Sequence, residues 1–310
     1  MKALIIRAGA LGDTLMLMPA ITRLRSRAGI VLAGRTPGID FLRPYVDQCI
    51  DLERSGWHRL FTEDPAGGRE FRMPGADFVV AFLNDPEGVI GNNLKSIYPD
   101  CPVHIFPPFP PEQEKIHMAR YMVRCMEKAG LYMDSGRPME EDLRRPYFHS
   151  TDPPGDKAGI VLHPGSGSVK KNYSPGLWLR LIDRIRDTCG HCTAGTVLLL
   201  GAAEEGLLPF FQEELKQTDM EILFCPEKED LISVLGQARL FIGHDSGVTH
   251  LAAMLGTAVI ALFKVSRVSR WRPLGPEVHV LRKGCGEPEF IREIMKKGGE
   301  LLRCPTIYDF

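Results

Sequence analysis

Several features that would assign a chain quickly are missing from this sequence. No apolar run reaches the roughly 18 residues of a membrane-spanning helix, so an integral helical membrane protein is not expected. The opening MKALIIRAGALGD has one Lys and a short apolar run before Gly and Asp. A secretory signal would need a longer apolar stretch and a cleavage site, so the cytoplasm is the expected compartment. Net charge is almost absent, with 38 Lys and Arg against 39 Asp and Glu. That excludes the basic footprint of a bulk nucleic-acid binder, and no nucleic acid is an expected partner. Local basic patches still leave room for contact with an anionic lipid surface, which would place the protein peripherally at the inner face of the cytoplasmic membrane.

Cofactor signatures are also missing. The three-glycine GxGxxG fingerprint does not occur, and no Gly-Lys-Ser/Thr closes a phosphate loop. A nicotinamide oxidoreductase is therefore disfavoured. No DxD or other metal-ligand cluster stands out, so neither metal nor cofactor is expected. The eight cysteines are scattered, as reduced thiols in a cytoplasmic chain would be. Cys189-Gly190-His191-Cys192 looks like a redox pair, but it follows a helical run and precedes a strand. A redox thiolate needs the opposite arrangement, at a helix N-terminus, so a structural or incidental role is expected.

What is present is an alternation. With 310 residues, 44% apolar and 25% charged, the composition is that of a soluble globular chain long enough for two domains. Ala3–Ile6 is a short apolar run ending at a glycine turn, and Thr14–Arg25 follows with Leu15, Met18, Ile21 and Leu24 at helical spacing. Strands are expected at Ile30–Ala33, Gln48–Leu52, Asp77–Phe82 and Val103–Phe106, with a helix at Glu112–Ala129. Asp134–Lys157, rich in Pro, Gly and charge, is the expected linker. The pattern then restarts. Strands are expected at Gly159–Leu162, Val197–Leu200, Glu221–Phe224, Leu240–Ile242 and Ala258–Phe263, and helices at Pro175–Arg186, Glu204–Lys216, Glu227–Gly236 and Gly247–Leu255, with a final helix at Glu287–Leu302. The expected architecture is α/β, with two Rossmann-like domains, residues 1–150 and 151–310, facing a central cleft. The final helix is free to pack back on the first domain.

Three segments carry candidate chemistry. In Gly9-Ala10-Leu11-Gly12-Asp13, two glycines let the backbone turn and approach a ligand closely. Asp13 opens a helix, where it reads either as an ordinary cap or as a base. His163-Pro164-Gly165-Ser166-Gly167-Ser168-Val169-Lys170-Lys171 leaves a strand with small residues, two hydroxyls and two cations, the composition that cradles an anion; a solvated surface turn is the alternative. Gly243-His244-Asp245-Ser246-Gly247-Val248-Thr249-His250 also follows a strand and opens a helix, whose N-terminus offers unpaired N–H groups and partial positive charge. Asp245 and Ser246 could equally cap that helix, and His250 could be a core histidine.

Together these segments resemble glycosyltransferase family 9, the ADP-heptose:lipopolysaccharide heptosyltransferases. IIRAGALGDTLMLMPAITRLR resembles the family's opening strand, loop and helix. LHPGSGSVKKNYSPGLW resembles its central segment, with Lys171 and Trp178 in register, and FIGHDSGVTHLAAMLGTAVIALF resembles its NDSG..HLA block. Residues 55–155 match poorly. The resemblance implies a GT-B fold, with acceptor in the N-terminal domain, donor in the C-terminal domain, and inversion at the anomeric carbon. It implies that Asp13 is the catalytic base, with Gly12 in the loop near the acceptor. Ser166, Gly167, Ser168 and Lys171 would hold the donor diphosphate, and Asp245, Ser246, Gly247 and His250 would complete the pocket. Glu204 would contact the ribose, and Cys225-Pro226 would lie along the base.

The sequence departs from the family pattern at His244 (usually Asn), Val248 (usually Pro), Tyr173 (commonly Trp) and Lys264-Val265-Ser266 (often Gly-Pro-Thr). These departures bear on donor identity more than on reaction class. The expected function is transfer of a sugar, heptose first, from a nucleotide-sugar donor to a glycolipid acceptor of lipopolysaccharide core type. The alternatives are a family-9-like transferase with another donor and acceptor, and a nucleotide-sugar-binding protein without turnover.

Overall fold

A computed structural model describes residues 1–54, 56–62, 73–131, 136–149, 158–188, 195–284 and 286–303. The Cys189–Cys192 motif lies outside them, as does much of the expected linker. The chain divides into two compact units, Met1–Asp142 and Leu143–Phe310.

The first unit contains β1 (Lys2–Arg7), α1 (Leu11–Leu15), α2 (Met18–Leu24), β2 (Gly29–Gly34), α3 (Gly38–Leu42), β3 (Gln48–Asp51), β4 (Phe78–Phe82), α4 (Val89–Ile97), β5 (Val103–Phe106), α5 (Met118–Lys128) and α6 (Met139–Arg144). All strand pairs are parallel, in the order β3-β2-β1-β4-β5. Parallel strands are covered on both faces, so they read as continuous apolar runs. Accordingly Leu4, Ile5, Ile6, Val79, Val80 and Ala81 are all buried.

The helix expected over Thr14–Arg25 is two helices. Pro19 sits in the first turn of α2, and α1 ends at Leu15. Proline has no N–H to donate and its ring collides with the carbonyl four residues back, here that of Leu15. The helix expected from Glu112 starts only at Met118, where His117 caps it by accepting the Ala119 N–H at 3.2 Å. Within the expected linker, α6 is tied to α2 by a buried Arg23–Asp142 ion pair at 2.7 Å.

The second unit contains β6 (Ala158–His163), α7 (Pro175–Thr188), β7 (Val197–Leu200), α8 (Leu208–Leu215), β8 (Glu221–Phe224), α9 (Lys228–Gln237), β9 (Ala238–His244), α10 (Gly247–Met254), β10 (Val259–Leu262), α11 (Val268–Trp271), β11 (Val278–Leu281) and α12 (Glu287–Leu302). Its sheet is again parallel, in the order β11-β10-β9-β6-β7-β8. Counted from its own first strand, that is the doubly wound order 3-2-1-4-5-6. Strand β11 and helix α4 were not expected from sequence.

The core between α7, α12 and the sheet includes Leu177, Trp178, Leu181, Ile182, Ile185, Phe290 and Ile294. Each such side chain contributes about 1.5–3 kcal/mol by leaving water. The final helix α12 thus packs on the second unit's own sheet. No helix among the described residues is long and apolar enough to cross a membrane.

Candidate functional site

In a doubly wound sheet, ligands bind beyond the carboxyl ends of the strands, where the strand order reverses. In the second unit that point lies between β6 and β9, which run side by side with His163 opposite Gly243. The two loops singled out from sequence leave these two strands. Their position follows from topology, independently of their composition.

Within the first of them, the Ser166 hydroxyl is 2.6 Å from Asn172 Oδ1 and accepts the Ser168 N–H at 3.3 Å. These contacts fold the segment back on itself and leave Gly167 exposed, with open space where its Cβ would be. Gly165 has no such space: a Cβ there would fall 1.9 Å from Glu204 Cδ. Glu204 is buried in the short helical turn that follows β7, and its Oε2 accepts the Gly201 N–H at 2.9 Å. Its Oε1 is buried with no hydrogen-bond partner. Glu204 therefore braces the loop from beneath, and only glycine at 165 lets it do so.

Within the second loop, Ser246 caps α10 by accepting the Thr249 N–H at 3.3 Å. Asp245 is nearly fully buried and joins the loops: Lys171 Nζ lies 2.8 Å from its Oδ2, and His250 Nε2 3.6 Å from its Oδ1. Burial alone would raise the Asp245 carboxyl, but His250 and Lys171 outweigh it and hold it well below the usual carboxylate range. The result is a fixed anion that presents a lysine, about a third exposed, beside a helix N-terminus. Ser166, Ser168, Lys171, Asp245, Ser246, Gly247 and His250 are thus assembled around one sheet crevice. Cys225 immediately follows β8, exposed and at a φ of 46°.

The departure at His244 has a packing reason. Its ring is fully buried, edge-on to Trp178 at 5.1 Å and beside Tyr173 at 5.6 Å. Its Nε2 accepts the Tyr173 N–H at 2.8 Å, which only a neutral imidazole can do. Burial first, then His163, push it down from 6.5 to about 3, while the backbone at Pro164 and Gly165 pulls the other way. His163, fully enclosed against the Leu199 carbonyl at 3.0 Å, is lowered too, chiefly by burial.

A stability prediction follows. Between the folded value near 3 and the unfolded value near 6.5, the unfolded chain binds the extra proton. Stability is therefore complete above 6.5 and falls as the pH drops, by up to about 1.4 kcal/mol per pH unit for one such group. Urea midpoints should fall between pH 7 and pH 5, and His244→Asn should fall less steeply. Equal pH slopes for the two proteins would rule out His244 as a source of the acid sensitivity.

In the first unit, β1 delivers the loop Ala8–Ala10 to the corresponding reversal, between β1 and β4. Gly9 is required there, because a Cβ would fall 2.6 Å from Asp13 Cβ and 3.2 Å from Arg7 Nε. Asp13 is the third residue of α1, and its Oδ2 accepts the Ala10 N–H at 3.2 Å. It has a capping contact, then, yet its side chain keeps about a fifth of its surface open. Gly12, one residue earlier, is half-buried. An open groove at the ends of β4 and β5 is lined by Leu83, Asn84, Asp85, Ile105 and Pro107.

Sequence reasoning missed Arg7. It is 1% exposed, lies 3.8 Å from the Asp13 carboxylate, and is pulled down from the ordinary arginine value by burial, against the pull of Asp13 and Tyr121. Its one trace in the sequence is a charge closing the apolar run Ala3–Ile6, immediately before the glycine loop.

Two parallel doubly wound sheets, one with two candidate loops at its switch point, define an α/β protein of the two-Rossmann class. The family model for glycosyltransferase family 9 (heptosyltransferase) matches residues 108–297, more than half of the chain. The chain belongs to glycosyltransferase family 9 and is a glycosyltransferase. No curated protein matches it. Among solved structures it is similar to E. coli heptosyltransferase WaaC with ADP, at 16% identity and a TM-score of 0.69 over 97% of this chain and 100% of that one. It is also similar to E. coli ADP-heptose lps heptosyltransferase II, at 15% identity and a TM-score of 0.66 over 98% and 99%. A glycosyl transferase family 9 structure from Veillonella parvula gives 15% and 0.66 over 97% of both chains. At these identities the likeness concerns the fold, which is GT-B.

Proposed function

We propose that this glycosyltransferase moves a sugar, heptose or a close relative, from a nucleoside diphosphate to a glycolipid acceptor of lipopolysaccharide core type, with inversion. The observation that carries this reading is the pairing of Lys171 with buried Asp245 at the β6/β9 switch point, beside the N-terminus of α10. A departing diphosphate gains negative charge, and fixed cations and N–H donors aimed at it lower the barrier. Lys171, Ser166, Gly167, Ser168 and the α10 N-terminus around Ser246 and Gly247 take the diphosphate in this reading. Asp245 and His250 set the lysine, and Glu204 supports the loop at the ribose end.

A sugar hydroxyl is a poor nucleophile at neutral pH. Asp13 removes its proton as the new C–O bond forms, through an oxocarbenium-like transition state. The first unit takes the acceptor in this reading, and the groove beside Leu83 and Pro107 lies at the carboxyl end of the same sheet as Asp13. The roles of bound metal and cofactor are filled in this reading by protein groups alone. Adenine as the donor's base is supported by the similarity to E. coli heptosyltransferase WaaC with ADP and to E. coli ADP-heptose lps heptosyltransferase II.

Calorimetric titration with ADP, UDP and GDP tests the donor. ADP is expected to bind at least about ten-fold tighter than the other two, a difference of about 1.4 kcal/mol. Preference for UDP would remove the heptose reading and leave a family-9 transferase of another donor. If donor is never consumed with any glycolipid acceptor although ADP binds, the chain is a binding protein.

A further inference from the structure

We infer that Arg7 is a positioning residue that orients Asp13 for proton abstraction. The inference rests on Asp13 being the base. Arg7 is the last residue of β1, and its guanidinium is enclosed. One nitrogen donates to the Pro108 carbonyl at 2.8 Å, and the Phe109 ring centroid lies 5.2 Å from Cζ. The remaining edge, Nε and the second terminal nitrogen, is buried without a hydrogen-bond partner.

That edge turns toward Asp13. The second terminal nitrogen is 3.8 Å from Asp13 Oδ1, and Nε borders the space that a Cβ on Gly9 would fill. A buried donor left unmade costs about 1–3 kcal/mol, and more when charged. A stability-driven core would not keep such a group, and arrangements of this kind mark functional sites. The Nε–Nη edge of a guanidinium matches a carboxylate in geometry. Asp13 is tethered by Ala10 N–H through Oδ2 alone, so a second contact at Oδ1 would fix both the rotation and the plane of the carboxylate.

The balance of the step is simple. The acceptor O–H bond breaks and its proton passes to Asp13. The oxygen's electron pair forms the bond to the anomeric carbon, and the bond to the diphosphate breaks with its pair on the leaving group. Arg7 touches none of these atoms. It holds the carboxylate in the orientation from which the proton is taken, and Gly9 keeps the gap between the two open.

A double-mutant cycle tests this, with kcat measured for donor consumption and ADP affinity by calorimetry in every variant. Arg7→Met is expected to lower kcat by about 100-fold, the scale of a misplaced catalytic group, with ADP affinity unchanged. In the Asp13→Asn background the same substitution should add nothing, because Arg7 acts through the carboxylate. An equal loss in both backgrounds would mean that Arg7 is merely structural and would overturn the inference. Arg7→Lys keeps a cation but not the fork. It decides the matter if the Met variant does not fold, with a loss on the order of ten-fold expected and wild-type kcat overturning the proposal.

The carboxyl ¹³C resonance of Asp13 gives a readout that needs no turnover. It should move in Arg7→Met or Arg7→Lys, and an unmoved resonance also overturns the proposal. The two readings fail separately. Full activity in Asp13→Asn removes the base and Arg7's role with it, whereas an inactive Asp13→Asn beside a fully active Arg7→Met removes only the role of Arg7.

Discussion

Asp13→Asn is expected to lower kcat by about 10²–10⁴-fold, the usual contribution of a positioned general base, while ADP affinity and thermal stability stay near wild type. Asparagine keeps an oxygen that can accept the Ala10 N–H, now made to Asp13 at 3.2 Å. The first turn of α1 therefore stays closed, and what is lost is the capacity to take a proton, together with the negative charge 3.8 Å from Arg7. Asp13→Ala removes that hydrogen bond as well and should cost about 1 kcal/mol of stability in addition, as lost helix-terminal contacts do. Comparing the two substitutions separates chemistry from folding. An Asp13→Asn protein that turns over donor at the wild-type rate would show that another group takes the proton.

The position of Asp13 shows how far sequence carries the argument. Its neighbours, an apolar strand and a glycine turn, were legible as strand, loop and helix, because strand and helix periods differ and glycine marks the change. The two anion-ready loops were legible for the same reason. Both leave buried strands, and both fall at the β6/β9 reversal. Strand order itself was not legible. It depends on which apolar runs pair, and that is a tertiary matter.

Four details were not legible, each for a local physical reason. Pro19 divides α1 from α2, because proline breaks a helix even where the apolar spacing runs on unbroken. Helix α4 has Ile90, Leu94 and Ile97 at helical spacing behind Gly88, whose φ is 76°, but the run is too short to stand out by its period. His244, a departure from the family pattern, is held within the core by Trp178 and Tyr173. Sequence patterns do not reveal an aromatic cage built from residues about 70 positions apart. Arg7 was hidden because a charge at a strand end is ordinarily solvated, whereas here the chain around Pro108 and Phe109 covers it.

Lys171→Met should weaken ADP binding by about 10–100-fold, matching the roughly 1.5–3 kcal/mol of a hydrogen bond to a charged group. It should lower kcat/KM further, by about 10²–10³-fold, because the diphosphate charge grows toward the transition state. Methionine matches the lysine stem in volume, so packing against the loop is retained. The ion pair with Asp245 is lost, but Lys171 is about a third exposed, and solvent screening limits what its removal costs the fold. Asp245→Asn removes the other partner and should behave differently. Asp245 is nearly fully buried and is held ionised by both Lys171 and His250, so its loss loosens the junction of the two loops and lowers the thermal midpoint as well as ADP affinity. Lys171→Arg tests geometry, since the planar fork cannot replace a compact ammonium between a carboxylate and a phosphate without moving one of them. It should recover only part of the binding. Wild-type ADP affinity in Lys171→Met would place the diphosphate elsewhere and leave the Lys171–Asp245 pair a structural tie between two loops.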